Sequence, residues 1–365
     1  MKRHTITALT LAITSGLGVL LSAGESRAVS NADYTATPPF VSNATTPNII
    51  IIMDNSGSMS NLGNCDGTDD GDCVDFSGSS IDKAFTNTTN WGGYFNSLTC
   101  YTYDTTDTRF EPASSKATLA DLCPDTQWDG NFLNWATLRR FDAVKKAMSG
   151  GDCIVTRAAD GTCPANGTPA LKTVTAQGTG VNTQAASVRY NAGTGANTYV
   201  GRIPLADRSG NKDPIYIHTD AAYFCVDDDN SFNSNCGDSY SVRKYLLKIG
   251  YASEPTGVIQ QIGSKARFGL MEFKSSSVGA RMLVGVGARQ SIDWSGTVVE
   301  TFNTNTAAMV DAVGESYPYT WTPLSESLYE TARYVAQIQS TFTTGYVYPI
   351  AFSGGISNGV NFATT

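Results

Sequence analysis

The stretch "NIIIIMDNSGSMSN", residues 48–61, contains four consecutive isoleucines, then an acid, then two serines separated by a glycine. A strand with one solvated face alternates apolar and polar residues, so the isoleucine run predicts a strand covered on both faces. The polar residues follow at the carboxyl end of that strand, where open α/β sheets place their ligands. The segment therefore predicts an α/β fold with a site at Asp54, Ser56 and Ser58.

The polar turn supplies one carboxylate and two hydroxyls at alternate positions, and Gly57 allows the backbone between them to turn sharply. Oxygen ligands of this kind suit a divalent cation such as Mg²⁺, Ca²⁺ or Mn²⁺. We therefore predict a metal site here. The alternative is a polar turn that closes the strand, with the Asp and Ser side chains bonded to their own backbone.

Composition sets the class of protein. The chain has 365 residues, of which 41% are hydrophobic and 16% charged, which fits a folded protein with a substantial core. Its net charge is −8, and no basic cluster reverses that sign locally. Such a chain repels polyanions, which argues against nucleic acid as a partner.

The amino-terminal segment predicts export. The basic start "MKR" precedes an apolar segment at about residues 9–21, and "SRAVS" then offers small residues for cleavage. This pattern predicts a signal peptide over residues 1–28 and an extended lead-in over 29–46. A transmembrane anchor is the weaker interpretation, because the segment is short and broken by Ser and Gly. We predict no transmembrane segment after cleavage.

Eight cysteines follow the predicted signal peptide. An even number in an exported chain predicts disulfides, although eight cysteines allow 105 pairings. Zinc is the rival interpretation, but there is no Cys-x-x-Cys and His218 is the one histidine left after cleavage. The simplest expectation joins neighbours, namely Cys65–Cys73, Cys100–Cys123, Cys153–Cys163 and Cys225–Cys236.

The order of elements predicts an α/β chain with two long excursions. Regions rich in Gly, Asn, Asp and Thr at about 60–128 and 151–240 are interpreted as disulfide-stapled insertions. Between them, "WDGNFLNWATLRRFDAVKKAMSGG" (128–151) has helical spacing and stops at its two glycines. Further strands are expected at "RFGLMEF" and "ARMLVGVGA", and helices at "GVIQQIGSKA", "TAAMVDAVGE" and "TPLSESLYETARYVAQI". In the last helix Leu324, Leu328, Ala332 and Val335 share a face.

The segment Asp54-Asn55-Ser56-Gly57-Ser58 after a buried strand resembles the metal-ion-dependent adhesion site of von Willebrand factor A domains. In that family a later loop provides a Thr, commonly in "TPL" at a helix start, and Thr322-Pro323-Leu324 fits that pattern. The resemblance implies a Rossmann-like, mostly parallel sheet flanked by helices. It also implies that Ser56, Ser58 and Thr322 contact a divalent cation and that Asp54 acts mostly through water. An acidic group of a partner protein or surface ligand would complete the coordination.

A narrower resemblance comes from "NFLNWATLRRFDAVKKAMSGG" and "YTWTPLSESLYETARYV", together with the cysteine-rich insertion directly after the metal loop. These features resemble the amino-terminal part of type IV pilus tip and assembly proteins of the PilC/PilY kind. The resemblance implies minor pilins as partners, a place in the periplasm, on the outer surface or at the pilus tip, and a role in pilus assembly, attachment or surface sensing. The family's later acidic turn and its propeller are not found, so we expect an A-like domain over 47–365 that is incomplete at its carboxyl end.

Two further patterns in the sequence permit other interpretations, a calcium loop and a serine hydrolase. Asp227, Asp229, Ser231 and Asn233 alternate like the start of a calcium loop, but a solvated acidic loop is favoured because the central Gly and closing Glu of such a loop are missing. A secreted serine hydrolase using Ser56 is disfavoured, because no G-x-S-x-G is present and His218 lies far along the sequence. The sequence thus predicts a binding protein that is not an enzyme, with a secreted A-domain adhesin unrelated to pili as the closest alternative.

Overall fold

The computed structural model describes a large part of one compact unit, Thr46–Thr365. The described residues are 47–60, 63, 85–158, 160–176, 186–190, 201–207, 215–220, 223–227, 243–263, 265–274, 279–286 and 302–336. The predicted signal peptide and lead-in lie outside them. Within them no helix is both long and apolar enough to cross a membrane.

The described elements are fourteen strands and five α-helices. The strands are β1 (Asn48–Met53), β2 (Thr99–Asp104), β3 (Arg109–Ser115), β4 (Trp128–Asp129), β5 (Asp152–Cys153), β6 (Ala165–Asn166), β7 (Leu171–Thr175), β8 (Ala186–Tyr190), β9 (Ile215–Asp220), β10 (Tyr223–Asp227), β11 (Arg243–Leu246), β12 (Lys248–Tyr251), β13 (Arg267–Phe273) and β14 (Ala280–Val284). The helices are α1 (Gly130–Thr137), α2 (Arg140–Ser149), α3 (Val258–Ile262), α4 (Phe302–Glu315) and α5 (Leu324–Val335). Short 3-10 helices cover Gly57–Ser60 and Leu205–Asp207.

The predicted isoleucine strand is confirmed as β1. It pairs in parallel with β13, which pairs antiparallel with β14, giving a sheet in the order β1-β13-β14. Ile49 and Ile51 pack on one side against a cluster that includes Phe141 and Val310, while Ile50 packs on the other side with Met271. Both faces of β1 therefore contact apolar side chains, which explains why the strand does not alternate.

The two cysteine-rich regions, the second of which was predicted to contain short strands and turns, share a sheet in the structure. They build one seven-stranded sheet together, in the order β4-β2-β3-β12-β7-β5, with β6 paired to β7. The joint is β12, which pairs with β3 from the first region and with β7 from the second. Strand β12 itself covers Lys248–Tyr251, just after the region predicted at about 151–240. Aromatic side chains, among them Phe110, Trp128 and Phe132, form the core beneath this sheet.

The strand pairing differs from the mostly parallel sheet that the A-domain resemblance implied. In the described parts of the chain, β1–β13 and β3–β12 are the parallel pairs. The others are antiparallel, including those of a third sheet, β11-β10-β9-β8. The architecture is mixed α/β with several sheets, and the described residues do not establish an A-type parallel sheet.

The helix predicted across 128–151 is two helices. The break falls at Leu138, whose backbone is extended and whose carbonyl accepts a hydrogen bond from Gly63 N at 2.6 Å. The guanidinium of Arg139 then donates to the carbonyl of Ser60. Contacts with a remote segment thus interrupt a continuous helical pattern. The predicted stop is confirmed, since Gly150 adopts φ of 81° at the end of α2.

Helix α5 begins where the sequence predicts, and the four apolar residues predicted to share a face do so. Leu324, Leu328, Ala332 and Val335 do lie on one side, and that side is exposed. The opposite side packs on the β1-β13-β14 sheet. There Ser327 Oγ donates to Gly279 O at 3.1 Å, and Tyr334 O–H accepts from Val286 N at 3.0 Å. Hydrogen bonds to backbone atoms make that polar face suitable for burial.

Candidate functional site

The turn after β1 brings its polar side chains together. The carboxylate of Asp54 accepts a hydrogen bond from Ser56 N at 2.8 Å, which holds the acid against the turn. The hydroxyl oxygens of Ser56 and Ser58 lie 3.1 Å apart. The 3-10 turn over Gly57–Ser60, in which Met59 N donates to Ser56 O at 3.0 Å, keeps both hydroxyls on one side of the backbone. The predicted Asp-x-Ser-x-Ser group is therefore a compact set of oxygens.

Asn55 anchors this turn to the neighbouring strand. Its side-chain oxygen accepts from Phe273 N at 3.0 Å, and its side-chain nitrogen donates to Phe273 O at 3.3 Å. The amide thus continues the β1–β13 ladder past the last paired residue, Met53. Asn55 is fully buried. Sequence reasoning treated it as a spacer, although an Asn two residues after the end of the isoleucine strand was the signal for such a bond.

The loop before α5 is bonded to the same turn through its backbone. Gly57 N donates to Thr320 O at 2.9 Å and Tyr319 N donates to Asn55 O at 2.8 Å, so that Ser56 and Thr320 form an isolated parallel bridge. Thr322 lies two residues further along. Two residues span at most about 7 Å, which limits the distance of Thr322 from Thr320. The two sequence-distant segments predicted to form one site are therefore adjacent.

The inner residues of the site are buried, and its outer residues face solvent. Ser56 is 2% exposed and Asp54 is half-buried, whereas Ser58 and Thr322 are exposed. Trp321, which precedes Thr322, is 83% exposed. A group approaching from solvent can therefore reach the hydroxyls of residues 58 and 322, while the base of the site is fixed by Asn55.

The chemistry of the oxygens fits a small divalent cation. In an octahedral shell with bonds of about 2.0–2.1 Å, adjacent ligands lie about 2.8–3.0 Å apart, slightly less than the 3.1 Å between the two serine hydroxyls. For Ca²⁺, with bonds of about 2.3–2.6 Å, the corresponding spacing is about 3.3–3.7 Å. The described residues contain no group of three or more His, Cys, Asp or Glu side chains that could hold a metal. The predicted set is of another type, with one carboxylate and three hydroxyls.

An ion pair between a buried carboxylate and an exposed guanidinium lies at the same end of the sheet. Glu272 of β13 is 1% exposed and pairs with Arg281 of β14, and Tyr319 O–H lies 3.5 Å from its carboxylate. Burial lowers the pKa of Arg281, but the Glu272 carboxylate outweighs that effect and the pKa is raised overall. Sequence reasoning missed this pair, which fixes the strand ends beneath the loop that carries Tyr319.

The other predicted residues are partly described. Asp227 ends β10, while Asp229, Ser231 and Asn233 lie outside the described residues, as do Cys65, Cys73 and Cys236. The predicted disulfides Cys100–Cys123 and Cys153–Cys163 are confirmed. Cys225 is also disulfide-bonded, and the cysteine with which it pairs lies outside the described part. His218 lies on β9, opposite Cys225 of β10.

Comparison with known proteins identifies one segment. Residues 82–202 match a family model described as "PilY1 homolog, small alpha/beta domain". No curated protein and no solved structure that was compared matches the chain. The matched segment carries β2–β8, α1, α2 and both fully described disulfides. It supports the predicted relation to type IV pilus proteins, and the pilus-type domain and disulfides are consistent with an exported protein.

Proposed function

We propose that this chain is a binding module of a type IV pilus-associated protein that holds a divalent cation at Ser56, Ser58 and Thr322. Asp54 would act on the cation through water, and an acidic group of the partner would occupy a remaining coordination position. The observation that carries the proposal is the 3.1 Å separation of the two serine hydroxyls, together with the backbone bridge from Ser56 to Thr320. The match at residues 82–202 supports the pilus context.

We propose Mg²⁺ or Mn²⁺ as the resident ion, because Mg²⁺ is commonly held through one or two carboxylates and keeps several waters. A site with one nearby carboxylate and three neutral hydroxyls gains little binding energy from charge, so its affinity is low. A partner carboxylate would supply the missing negative charge. Metal and partner would therefore bind cooperatively, as expected for an adhesion site.

By resemblance, the module acts in pilus assembly, surface attachment or surface sensing, with minor pilins as its partners, in the periplasm, on the outer surface or at the pilus tip. The exposed Trp321 beside Thr322 offers apolar surface next to the cation for the same partner. Large aromatic side chains are common anchors at protein interfaces.

The test is metal-dependent stability. A dissociation constant of about 1 mM would, at about 10 mM Mg²⁺, stabilise the folded protein by about 1.4 kcal/mol. For a domain of this size we expect the melting temperature to rise by about 2–5 °C. Ser58→Ala removes one ligand at an exposed position and should abolish the rise without lowering the melting temperature in EDTA.

Ser325→Ala is the matched control, because Ser325 is another exposed serine close to the site, bonded to Glu326 rather than to the turn. This variant should keep the full Mg²⁺-dependent rise. A rise that persists in Ser58→Ala, or no rise in the unaltered protein with Mg²⁺ or Mn²⁺, would remove the basis for a cation at this site.

Two alternatives have separate tests. A secreted adhesin unrelated to pili would bind metal equally, but deleting its gene would leave piliation and twitching unchanged. For this protein, we expect deletion of the gene to impair both. Reintroducing the gene with Ser58→Ala should not restore them. A serine hydrolase would turn over ester substrates and lose that activity in Ser56→Ala. We expect no turnover, since the Ser56 hydroxyl contacts the Ser58 hydroxyl rather than a base.

A further inference from the structure

The outer face of α5 is an apolar surface that faces solvent. Leu324 and Leu328 are 52% and 54% exposed, and Val335 is 66% exposed. Ala332 completes this row, and Tyr329 borders it at 49% exposed. Contiguous apolar surface of a few hundred Å² on a soluble protein often marks an interaction site. The outer face of α5, defined by these five residues, is therefore a candidate interface.

This face begins directly after the proposed metal site. Leu324 N donates to Thr322 O at 2.9 Å, in a turn that follows the 83% exposed Trp321. From Leu324 to Val335 the helix rises by about 17 Å. The cation would therefore lie at one end of a row of apolar side chains, where one partner can contact both.

The exposed area favours a partner that covers the face and the metal site together. Taking about 200 Å² for a large side chain, the exposed fractions give roughly 450 Å² for the outer face and roughly 200 Å² for Trp321. A partner on the outer face alone would bury about 900 Å² in total, below the roughly 1,000 Å² expected of a specific interface. A partner that also covers Trp321 would bury about 1,300 Å², which exceeds that limit.

The chemistry of the face selects a helix as its occupant. Leucine, valine and alanine side chains offer no hydrogen bonds, and the hydroxyl of Ser325 beside them donates to Glu326. An extended segment laid on this face would bury backbone N–H and C=O groups without partners, which is costly. A helix satisfies its backbone internally and can present apolar side chains every three or four residues.

We propose that the outer face of α5 binds an amphipathic helix of the partner whose carboxylate completes the metal site, an inference that rests on the proposed function. The partner helix lies antiparallel to α5 and carries its acidic residue in its last turn. This direction places the negative end of the partner's helix dipole at the cation and its positive end beside the carboxyl end of α5. The partner is thus a helix with an apolar stripe of about three turns and a carboxylate at its carboxyl end.

The test is fluorescence anisotropy with a fluorescein-labelled helical peptide of about 16 residues, which has leucines along one side and Asp in its last turn. With Mg²⁺ this peptide should bind about tenfold more tightly than in EDTA. The same peptide with Asn in place of Asp should bind equally with Mg²⁺ and in EDTA, because an amide brings no negative charge to the cation. Ser58→Ala should remove the gain from Mg²⁺ and keep the affinity measured in EDTA.

Leu328→Gln should weaken the peptide about tenfold, with Mg²⁺ and in EDTA alike, because it removes a large apolar contact from the middle of the face. Gln is a good helix former and Leu328 is exposed, so the fold and the Mg²⁺-dependent rise in melting temperature should be kept. Leu122→Gln is the matched control. Leu122 is 56% exposed but lies beside Gly201 rather than on α5, and its replacement should leave affinity unchanged.

Unaltered affinity in Leu328→Gln, or no binding of the peptide, would overturn the inference. So would a Leu328→Cys thiol that maleimide does not modify in the free protein, because the face would then already be covered, by a second copy or by the chain after α5. A Mg²⁺-dependent rise in melting temperature without peptide binding would contradict this inference alone. If Mg²⁺ changes neither the melting temperature nor the affinity, the proposed function fails, and a loss of affinity in Leu328→Gln in EDTA would still support the helix-binding face.

Discussion

Replacing Asp129 should destabilise the seven-stranded sheet and its aromatic core more than the removal of any other single charge described above. Asp129 is fully buried at the start of α1, between two buried cations. Its Oδ2 accepts from Lys116 Nζ at 2.8 Å and from the guanidinium of Arg202, and the side chains of both partners are at most 2% exposed. Its Oδ1 caps the helix by accepting from Asn131 N at 2.8 Å.

The magnitude follows from these contacts. Asp129→Asn keeps a good helix cap but removes the charge, which leaves Lys116 and Arg202 buried without their carboxylate; breaking a buried pair in this way costs about 3–5 kcal/mol. Asp129→Ala also loses the cap, worth about 1 kcal/mol, for a total of about 4–6 kcal/mol. A typical domain has about 5–15 kcal/mol in all, so the alanine variant should be close to unfolding. Burial already lowers the pKa of Lys116, consistent with a cation that depends on its partner.

The assay is urea unfolding at pH 7 with disulfides intact, followed by tryptophan fluorescence. Asp125→Asn is the control, because it removes the same charge from an exposed position and should change the unfolding free energy by no more than about 0.5 kcal/mol. Adding Lys116→Met to Asp129→Asn should recover part of the loss by removing one uncompensated cation. A loss below about 1 kcal/mol for Asp129→Asn would refute the assignment of a buried charge network here.

Three further predictions concern other parts of the fold. Burial raises the pKa of Tyr101 to about 12, so this tyrosine ionises at lower pH in the unfolded chain than in the folded one. Its contribution to the free energy of unfolding is therefore lost as pH rises from about 10 to 12. Between these pH values, the free energy of unfolding measured in urea should fall by about 2–3 kcal/mol less in Tyr101→Phe than in the unaltered protein. Asn55→Ala should cost about 2–4 kcal/mol in thermal unfolding because it leaves the amide and carbonyl of Phe273 unpaired, and a loss under about 1 kcal/mol would contradict that role. Gly150→Ala should lower the melting temperature, since φ is 81° and the added carbon would lie 2.4 Å from the carbonyl carbon of Pro255; unchanged melting would disprove the strain.

The sequence predicted those features that depend on local pattern. The isoleucine strand, the glycine stop of α2 and the start of α5 at Pro323 were found where the pattern put them. Two disulfides between neighbouring cysteines were also predicted, because short loops are easily closed. The approach of the Thr322 loop to the serine turn came from the family resemblance.

What the sequence did not predict depends on distant contacts. The break at Leu138 is made by bonds to residues 60 and 63, which no periodicity records. The pattern showed that the leucines of α5 share a face, but it did not show that Ser327 and Tyr334 occupy the packed face, where their hydroxyls bond to backbone atoms just before and just after β14. The joint sheet was not predicted, because its central pairing, Ile249 with Phe110 and Val174, joins segments that are far apart in the sequence.

The strand β12 has a practical consequence for anyone who engineers this protein. Since Lys248–Tyr251 lies between strands contributed by both cysteine-rich regions, neither region is a cassette that can be excised, swapped or expressed by itself. A chimera cut between the two would leave an open sheet edge, which invites aggregation. Transplanting this half of the molecule requires moving the chain from about residue 85 to Tyr251 as one piece.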